Sequence, residues 1–361
     1  MAIDVDTLEK LRTNTVDPPK VDLSWLNLDE NGHPWGMRAR PGKRGLTLDE
    51  IEVGVVGEVP EQSDNRSIRV RGSVPRPDAP RVPGGYVSKA DTYSENSRLL
   101  YEEAVQRQWS SATDIPWESI DGLPDDIERA MCQLCTFLTE VEFIAGDTPA
   151  QWLPKLNSEH HEVKLFLLSQ IMDEARHLDV FRKRAFANGG GLLSSLPQDG
   201  LRVIIEAKDF TEMSAIMHVA AEGFIQSMFR MGEYIGQNEA EKKIFRLCGQ
   251  DESRHLGFGV LHLKYVMENE PHRREEIHHY LDKVESTLMP DPMDSDGANF
   301  ALFEALAILM GGGLKNFDKG LQLSMGVQRK RVNEYMHRLK VAGLGDRRER
   351  MNPLLRQFLD N

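Results

Sequence analysis

Two short segments of this chain, Asp173-Glu174-Ala175-Arg176-His177 and Asp251-Glu252-Ser253-Arg254-His255, read almost alike, and both fall inside long stretches of helical periodicity. A glutamate and a histidine three residues apart share one helix face and present a carboxylate and an imidazole to a common point. Each segment is preceded by a helical run with a glutamate in its middle, Glu142 before Glu174 and Glu222 before Glu252. The chain thus repeats a helix–loop–helix unit in which the recurring feature is a set of metal-ligand side chains.

Periodicity decides which glutamates face inward. Met131, Cys135, Leu138, Glu142 and Ala145 follow 4-3-4-3 spacing as one apolar stripe, whereas Gln133, Thr136 and Glu140 form a polar one. Glu142 is therefore expected inside and Glu140 toward water. The same test places Glu174 among Leu167, Ile171, Leu178 and Phe181, and Glu222 among Ala215, Val219, Ile225 and Phe229. Four carboxylates and two imidazoles in an apolar interior cannot stay unpaired, since even one isolated buried carboxylate costs several kcal/mol. Two divalent cations balance four carboxylates. A mixed oxygen and nitrogen donor set suits iron or manganese better than the thiolate-rich sites of structural zinc. Asp173 and Asp251 are expected to accept the outer N–H of the opposite histidine, Asp173 from His255 and Asp251 from His177, with Arg176 and Arg254 completing ion pairs.

Helical periodicity runs over about 92–112, 124–146, 158–187, 209–237, 239–269, 272–289, 297–311 and 315–343, and alternating β-branched runs are nearly absent. Gly146-Asp147-Thr148-Pro149, Asn188 with three glycines, Gly236 and Glu270-Pro271 read as helix stops. Residues 1–90 hold nine of the eighteen prolines and read as an irregular arm. The expected organisation is all-α: the arm over 1–90, a four-helix bundle over 91–290, and accessory helices over 291–361.

The six-residue pattern Glu142, Glu174-x-x-His177, Glu222 and Glu252-x-x-His255 resembles the ferritin-like di-iron carboxylate proteins. The paired Asp-Glu-x-Arg-His segments, with Glu142-Phe143, look most like hydroxylase subunits of bacterial multicomponent monooxygenases. The stretch Gln108-Trp109-Ser110 through Asp114-Ile115-Pro116-Trp117 looks like the entry segment of ribonucleotide reductase small subunits and their oxidase relatives. The resemblance covers about residues 92–270. It implies a ferritin-like bundle whose two iron ions, or a manganese–iron pair, activate O2 to hydroxylate, desaturate or N-oxygenate a small organic substrate, using electrons from an external reductase or ferredoxin. A homodimer is the expected assembly.

Departures from the family pattern weigh the alternatives. Radical-generating small subunits carry a tyrosine four residues after the first ligand histidine, where this chain has Phe181, and another near the C-terminus, where Arg356 to Asn361 has none. A radical generator serving a larger partner is thus the second reading, and a ferroxidase or storage protein the third. Gln226 stands where monooxygenases often have threonine, and Cys248 where arylamine N-oxygenases add a histidine. His218, one turn before Glu222, reads first as a hydrogen-bonded core histidine and second as an extra ligand. Cys135, Phe181, Phe224, Gln226 and Cys248 are candidate pocket residues, with plain core packing the simpler reading for the aromatics.

Other classes are disfavoured. A net charge of −13 without a long basic run argues against nucleic acid, and the run Gln328-Arg329-Lys330-Arg331 reads as a solvated face. No run of eighteen uncharged apolar residues or signal-like start is present, so a cytoplasmic protein without a membrane partner is expected. Three cysteines cannot hold an all-cysteine iron–sulfur cluster, and the glycine clusters lack a dinucleotide-binding context. His160-His161 and His278-His279, flanked by glutamates, read as solvated helix turns.

Overall fold

The computed structural model describes residues 5–13, 22–26, 38–74, 77–81, 85–195, 199–288 and 300–360. The chain divides into two compact units, residues 1–40 and 41–361. Within the first lie α1 (Val5–Arg12) and a single 3₁₀ turn, Ser24–Leu26. The second holds α2 (Leu48–Ile51), α3 (Ser97–Gln106), α4 (Asp125–Ala150), α5 (His161–Ala187), α6 (Asp199–Ile205), α7 (Phe210–Ser214), α8 (Glu222–Ile235), α9 (Glu239–Asn269), α10 (Arg274–Leu288), α11 (Phe300–Gly311) and α12 (Phe317–Val341). Among the described residues there is no β-strand, only isolated bridges.

Four rods carry the repeat seen in the sequence. α4 packs on α5, α8 on α9, and the two hairpins meet through α5 and α9. Local signals start the rods: the Asn238 side chain accepts from Glu241 N at 2.9 Å to cap α9, and Asp209 accepts from Glu212 N at 2.8 Å to cap α7. Arg184 of α5, only 1% exposed, ties three rods together by donating to Glu128 of α4 at 2.9 Å and to Glu241 of α9 at 2.7 Å. Apolar packing falls into two clusters. Phe166 and Phe258 belong to one and Phe181, Phe229 and Phe245 to the other. Along both α5 and α9 the Glu-x-x-His residues lie between them, so a polar layer divides the core midway along the bundle.

Several sequence expectations are corrected. α4 does not stop at Gly146 but runs to Ala150 with Pro149 inside its last turn. Gly146 lies within the helix beside Glu174, where a Cβ would make an ordinary contact at 3.5 Å, so it acts as neither stop nor spacer. The stretch 92–112 yields a helix only over Ser97–Gln106. The 209–237 run is one rod with a π-helical turn, Ala215–Ala221, inserted between α7 and α8. His160 is fully buried, and Arg71 bridges the buried carboxylates of Glu52 and Glu162 while His161 Nε2 lies 2.7 Å from Glu52. These turns are covered because Glu52, Asn65, Arg69 and Arg71 pack against the start of α5. His278 is likewise buried, 3.0 Å from Asp346, whereas His279 is exposed. Among the described residues no single helix is long and apolar enough to cross a membrane, and only α11 with the following segment, bent by 93°, passes that test as a pair.

One buried histidine outside the polar layer sets an acid limit on the fold. His262 of α9 donates from Nδ1 to the Tyr93 carbonyl at 2.8 Å and receives the Thr211 hydroxyl at Nε2, 3.1 Å away. Burial lowers its pKa from 6.5 to about 4, so it folds as the neutral ring. The unfolded chain binds this proton first, and the contribution is complete above about pH 6.5 and lost as pH falls toward 4, about 3 kcal/mol in all. Denaturant titrations over that range should show the loss, and His262→Gln should flatten it. Equal pH slopes in the two proteins would exclude the assignment.

Candidate metal centre

The polar layer gathers six side chains from four rods: Glu142 on α4, Glu174 and His177 on α5, Glu222 at the start of α8, and Glu252 and His255 on α9. All are at most 4% exposed. Their donor atoms form two overlapping groups, Glu142, Glu174, His177 and Glu252 in one and Glu174, Glu222, Glu252 and His255 in the other, with the atoms of each group within 4.8 Å of one another. Glu174 and Glu252 belong to both. His177 Nδ1 stands 3.2 Å from Glu174 Oε2, 3.2 Å from Glu252 Oε1 and 3.8 Å from Glu142 Oε2. His255 Nδ1 stands 3.0 Å from Glu174 Oε1 and 3.6 Å from Glu252 Oε2.

The outer ring nitrogens face the other way. His177 Nε2 lies 3.1 Å from Asp251 Oδ2 and His255 Nε2 lies 3.4 Å from Asp173 Oδ2, so each aspartate serves the histidine of the opposite helix. Arg176 donates to both aspartates, at 2.8 Å to Asp251, and Arg254 also donates to both, at 2.7 Å to Asp173. The two buried arginines neutralise the two buried aspartates. With Nε2–H committed to a carboxylate, Nδ1 is the nitrogen each ring would offer a metal at the centre.

Charge inside this shell is unbalanced. Eight buried atoms have no hydrogen-bond partner: Glu142 Oε1, both oxygens of Glu174 and of Glu252, Glu222 Oε2, and Nδ1 of His177 and His255. Native interiors leave few such atoms, and here eight of them, six of them carboxylate oxygens, converge on one point while the others are scattered singly or in pairs. Burial, reinforced by Glu174, pushes the Glu142 carboxyl well above its usual range, and burial with Glu252 does the same to Glu222. Burial opposes charge on the imidazoles, but Cys248, Asp251 and Glu142 hold His177 high, and Glu174 and Glu252 hold His255 high. Protons are thus the weak substitute for a stronger counter-charge, and two divalent cations fit the donor set in number, charge and chemistry.

Other residues singled out from the sequence fall as follows. Both ring nitrogens of His218 are engaged, Nδ1 by Ser214 Oγ at 3.0 Å and Nε2 by Gln170 Oε1 at 3.1 Å. Cys248 sits against His177, and burial raises its thiol to about 12. Cys135 is buried and its thiol also pushed up. Phe181 stacks on Phe229 at 5.3 Å, whereas Phe224 turns away toward Tyr335 and under the Arg331 guanidinium, 4.8 Å from its ring. Arg331 is thereby half-buried rather than part of a solvated run, although Arg329 and Lys330 are exposed. Gln226 donates to Ser253 Oγ at 2.8 Å. Two further residues matter. Gln170, one turn before Glu174, donates to Glu222 Oε1 at 3.0 Å and so links His218 to that carboxylate. A polar residue within an apolar stripe was its signal. Trp109 Nε1 donates to Asp251 Oδ2 at 2.8 Å, and Arg176 lies over its ring.

The four rods around the central carboxylate–imidazole set form a ferritin-like bundle. Among solved structures the chain is similar to a variant of an R2-like ligand-binding oxidase with an aerobically reconstituted Mn/Fe cofactor, at 17% identity and TM-score 0.50, over 67% of this chain and 92% of that one. It is similar to a second variant with an aerobically reconstituted Fe/Fe cofactor at 16% identity and TM-score 0.50, over the same shares. No protein-family model matches the sequence, and no curated protein does.

Proposed function

We propose that Glu142, Glu174, His177, Glu222, Glu252 and His255 hold two transition-metal ions, iron with iron or manganese with iron, and that the protein is an O2-dependent oxidase or oxygenase acting on a small organic molecule. The observation that carries this reading is the eight partnerless donor atoms gathered in one buried layer. The cofactors named for the two oxidase variants support the choice of metals. Two reduced metal ions at this place would supply electrons to O2.

The chain's own residues do the rest. Glu174 and Glu252, in reach of both histidines, together with Glu142, His177, Glu222 and His255, would hold the two ions. Asp173 and Asp251 fix the imidazole tautomers, and Gln170 orients Glu222. Phe181, Phe229 and Phe245 on one side and Phe166 and Phe258 on the other keep water out. Metal analysis after anaerobic loading, followed by O2 uptake with a generic reductase, tests the reading. A chain that takes up no iron or manganese rules it out.

One observation favours electron transfer through the protein, as a radical generator requires. A hydrogen-bonded chain runs from half-buried Trp109 through Asp251 to His177. Trp109→Phe keeps the ring and removes the N–H. We expect reduction of the loaded centre by an external donor to slow about tenfold or more, the scale seen when a neighbour of a metal ligand loses its hydrogen bond. An unchanged reduction rate at full metal content would remove Trp109 from the path.

A further inference from the structure

Glu222 differs from the carboxylates it faces across the polar layer. Both oxygens of Glu174 and of Glu252 lack a hydrogen-bond partner, whereas Glu222 Oε1 accepts from the Gln170 amide at 3.0 Å and only Oε2 is left over. Among the described residues, no other side chain from outside the six donates to one of their carboxylates.

Behind Gln170 stands His218, in the π-helical turn that leads into α8 and four residues before Glu222. A carboxylate only accepts, so Gln170 turns Nε2 to Glu222 and Oε1 to His218. That amide oxygen needs an N–H, which places the proton of the ring on Nε2, 3.1 Å away, and leaves Nδ1 to accept from the Ser214 hydroxyl at 3.0 Å. Burial, with His255 and His262 acting the same way, keeps the ring neutral. Hydroxyl, imidazole and amide therefore donate in one direction, and the row ends on Glu222.

The ring has little freedom. Phe258 meets it edge to face at 5.4 Å, and a Cβ at Gly259 would collide with that of His218, so α9 closes on the turn only because residue 259 has no side chain. Gln170, Ser214 and His218 are all fully buried. Apolar side chains of similar size at 170 and 218 would fill this space with no polar atom to satisfy, at little or no cost to the fold. The group that gains from the polar pair is the carboxylate at its end.

We propose that His218 is a positioning residue: through Gln170 it commits Glu222 Oε1 and leaves Oε2 as the one oxygen that Glu222 offers beside Glu174, Glu252 and His255. This rests on the reading of the six residues as metal ligands.

Anaerobic titration of the full chain with Mn(II) alone, read by the electron paramagnetic resonance of the unbound ion, tests it. The parent should take up two ions. In His218→Phe, as in Gln170→Leu, one of the two should bind about tenfold or more weakly and the other as before, the scale for losing a group that orients a metal ligand. Two polar variants separate positioning from packing. His218→Gln keeps an N–H near the place of Nε2 and should retain both affinities. His218→Asn reaches Ser214 but not Gln170, so it should weaken the same single ion, and it serves if the phenylalanine variant does not fold. A parent that binds no Mn(II) would bring down the ligand reading and this proposal with it. Two ions in the parent, with affinities that are unchanged in His218→Asn, equally weakened at both positions, or as weak in His218→Gln as in His218→Asn, would overturn this proposal alone.

Discussion

Glu174→Ala is expected to empty the polar layer of both metals, whereas Glu142→Ala should lower the content toward one per chain. Glu174 is the carboxylate that cannot be assigned to one end, with Oε1 3.0 Å from His255 Nδ1 and Oε2 3.2 Å from His177 Nδ1. Removing it takes a donor from each group and leaves two dications facing three carboxylates in an interior that cannot solvate the excess. Glu252 stands in the same relation to both rings, and its alanine variant should behave alike. Glu142 reaches only the His177 side. Metal binding to the folded state alone also stabilises it, by about 4 kcal/mol at a thousandfold excess over the dissociation constant. The rise in unfolding temperature on adding ferrous ion should therefore vanish in Glu174→Ala. Elemental analysis checks the content, and two metals at full occupancy in Glu174→Ala would sink the shared-ligand assignment.

The rods and the inward faces were legible because each depends on spacing within one helix. Placing Glu142 inside and Glu140 outside needed only the 4-3 stripe of Met131, Cys135 and Leu138, and the structure has Glu142 at 2% exposure while Glu140 is half-buried and meets Ser195. What stayed hidden depends on long-range packing. Nothing near His160 shows that Arg71 will arrive from ninety residues upstream to bury Glu162 and the turn beside it. Pro149 is a sound stop signal, yet α4 carries it because the last turn of a helix can lose one donor and still gain the packing of Thr148 and Pro149 in the interior. The π turn over Ala215–Ala221 is invisible to a 3.6-residue period because the rod stays buried on every side there.

Asp251→Asn should cost more than its size suggests, since Asp251 is the one residue on which the ring, the indole and the arginines converge. Its carboxylate accepts from His177 Nε2 at 3.1 Å, from Trp109 Nε1 at 2.8 Å and from both Arg176 and Arg254. Burial works against that charge, but His177, Arg254 and Arg176 hold the group far below the ordinary carboxylate range. The substitution therefore removes a charge that the ring and the two arginines hold in place. Asparagine keeps the shape yet leaves Arg176 and Arg254, 6% and 3% exposed, to share Asp173 alone. One uncompensated buried cation corresponds to a loss of about 3–5 kcal/mol. His177 also loses the acceptor that fixes its tautomer, which lowers metal affinity by about 10- to 100-fold. The two losses separate experimentally: denaturant unfolding in chelator reads the first, and metal titration of the folded variant reads the second. A chelated variant within about 0.5 kcal/mol of the parent, the range of an ordinary surface change, would show that the arginines find their balance elsewhere.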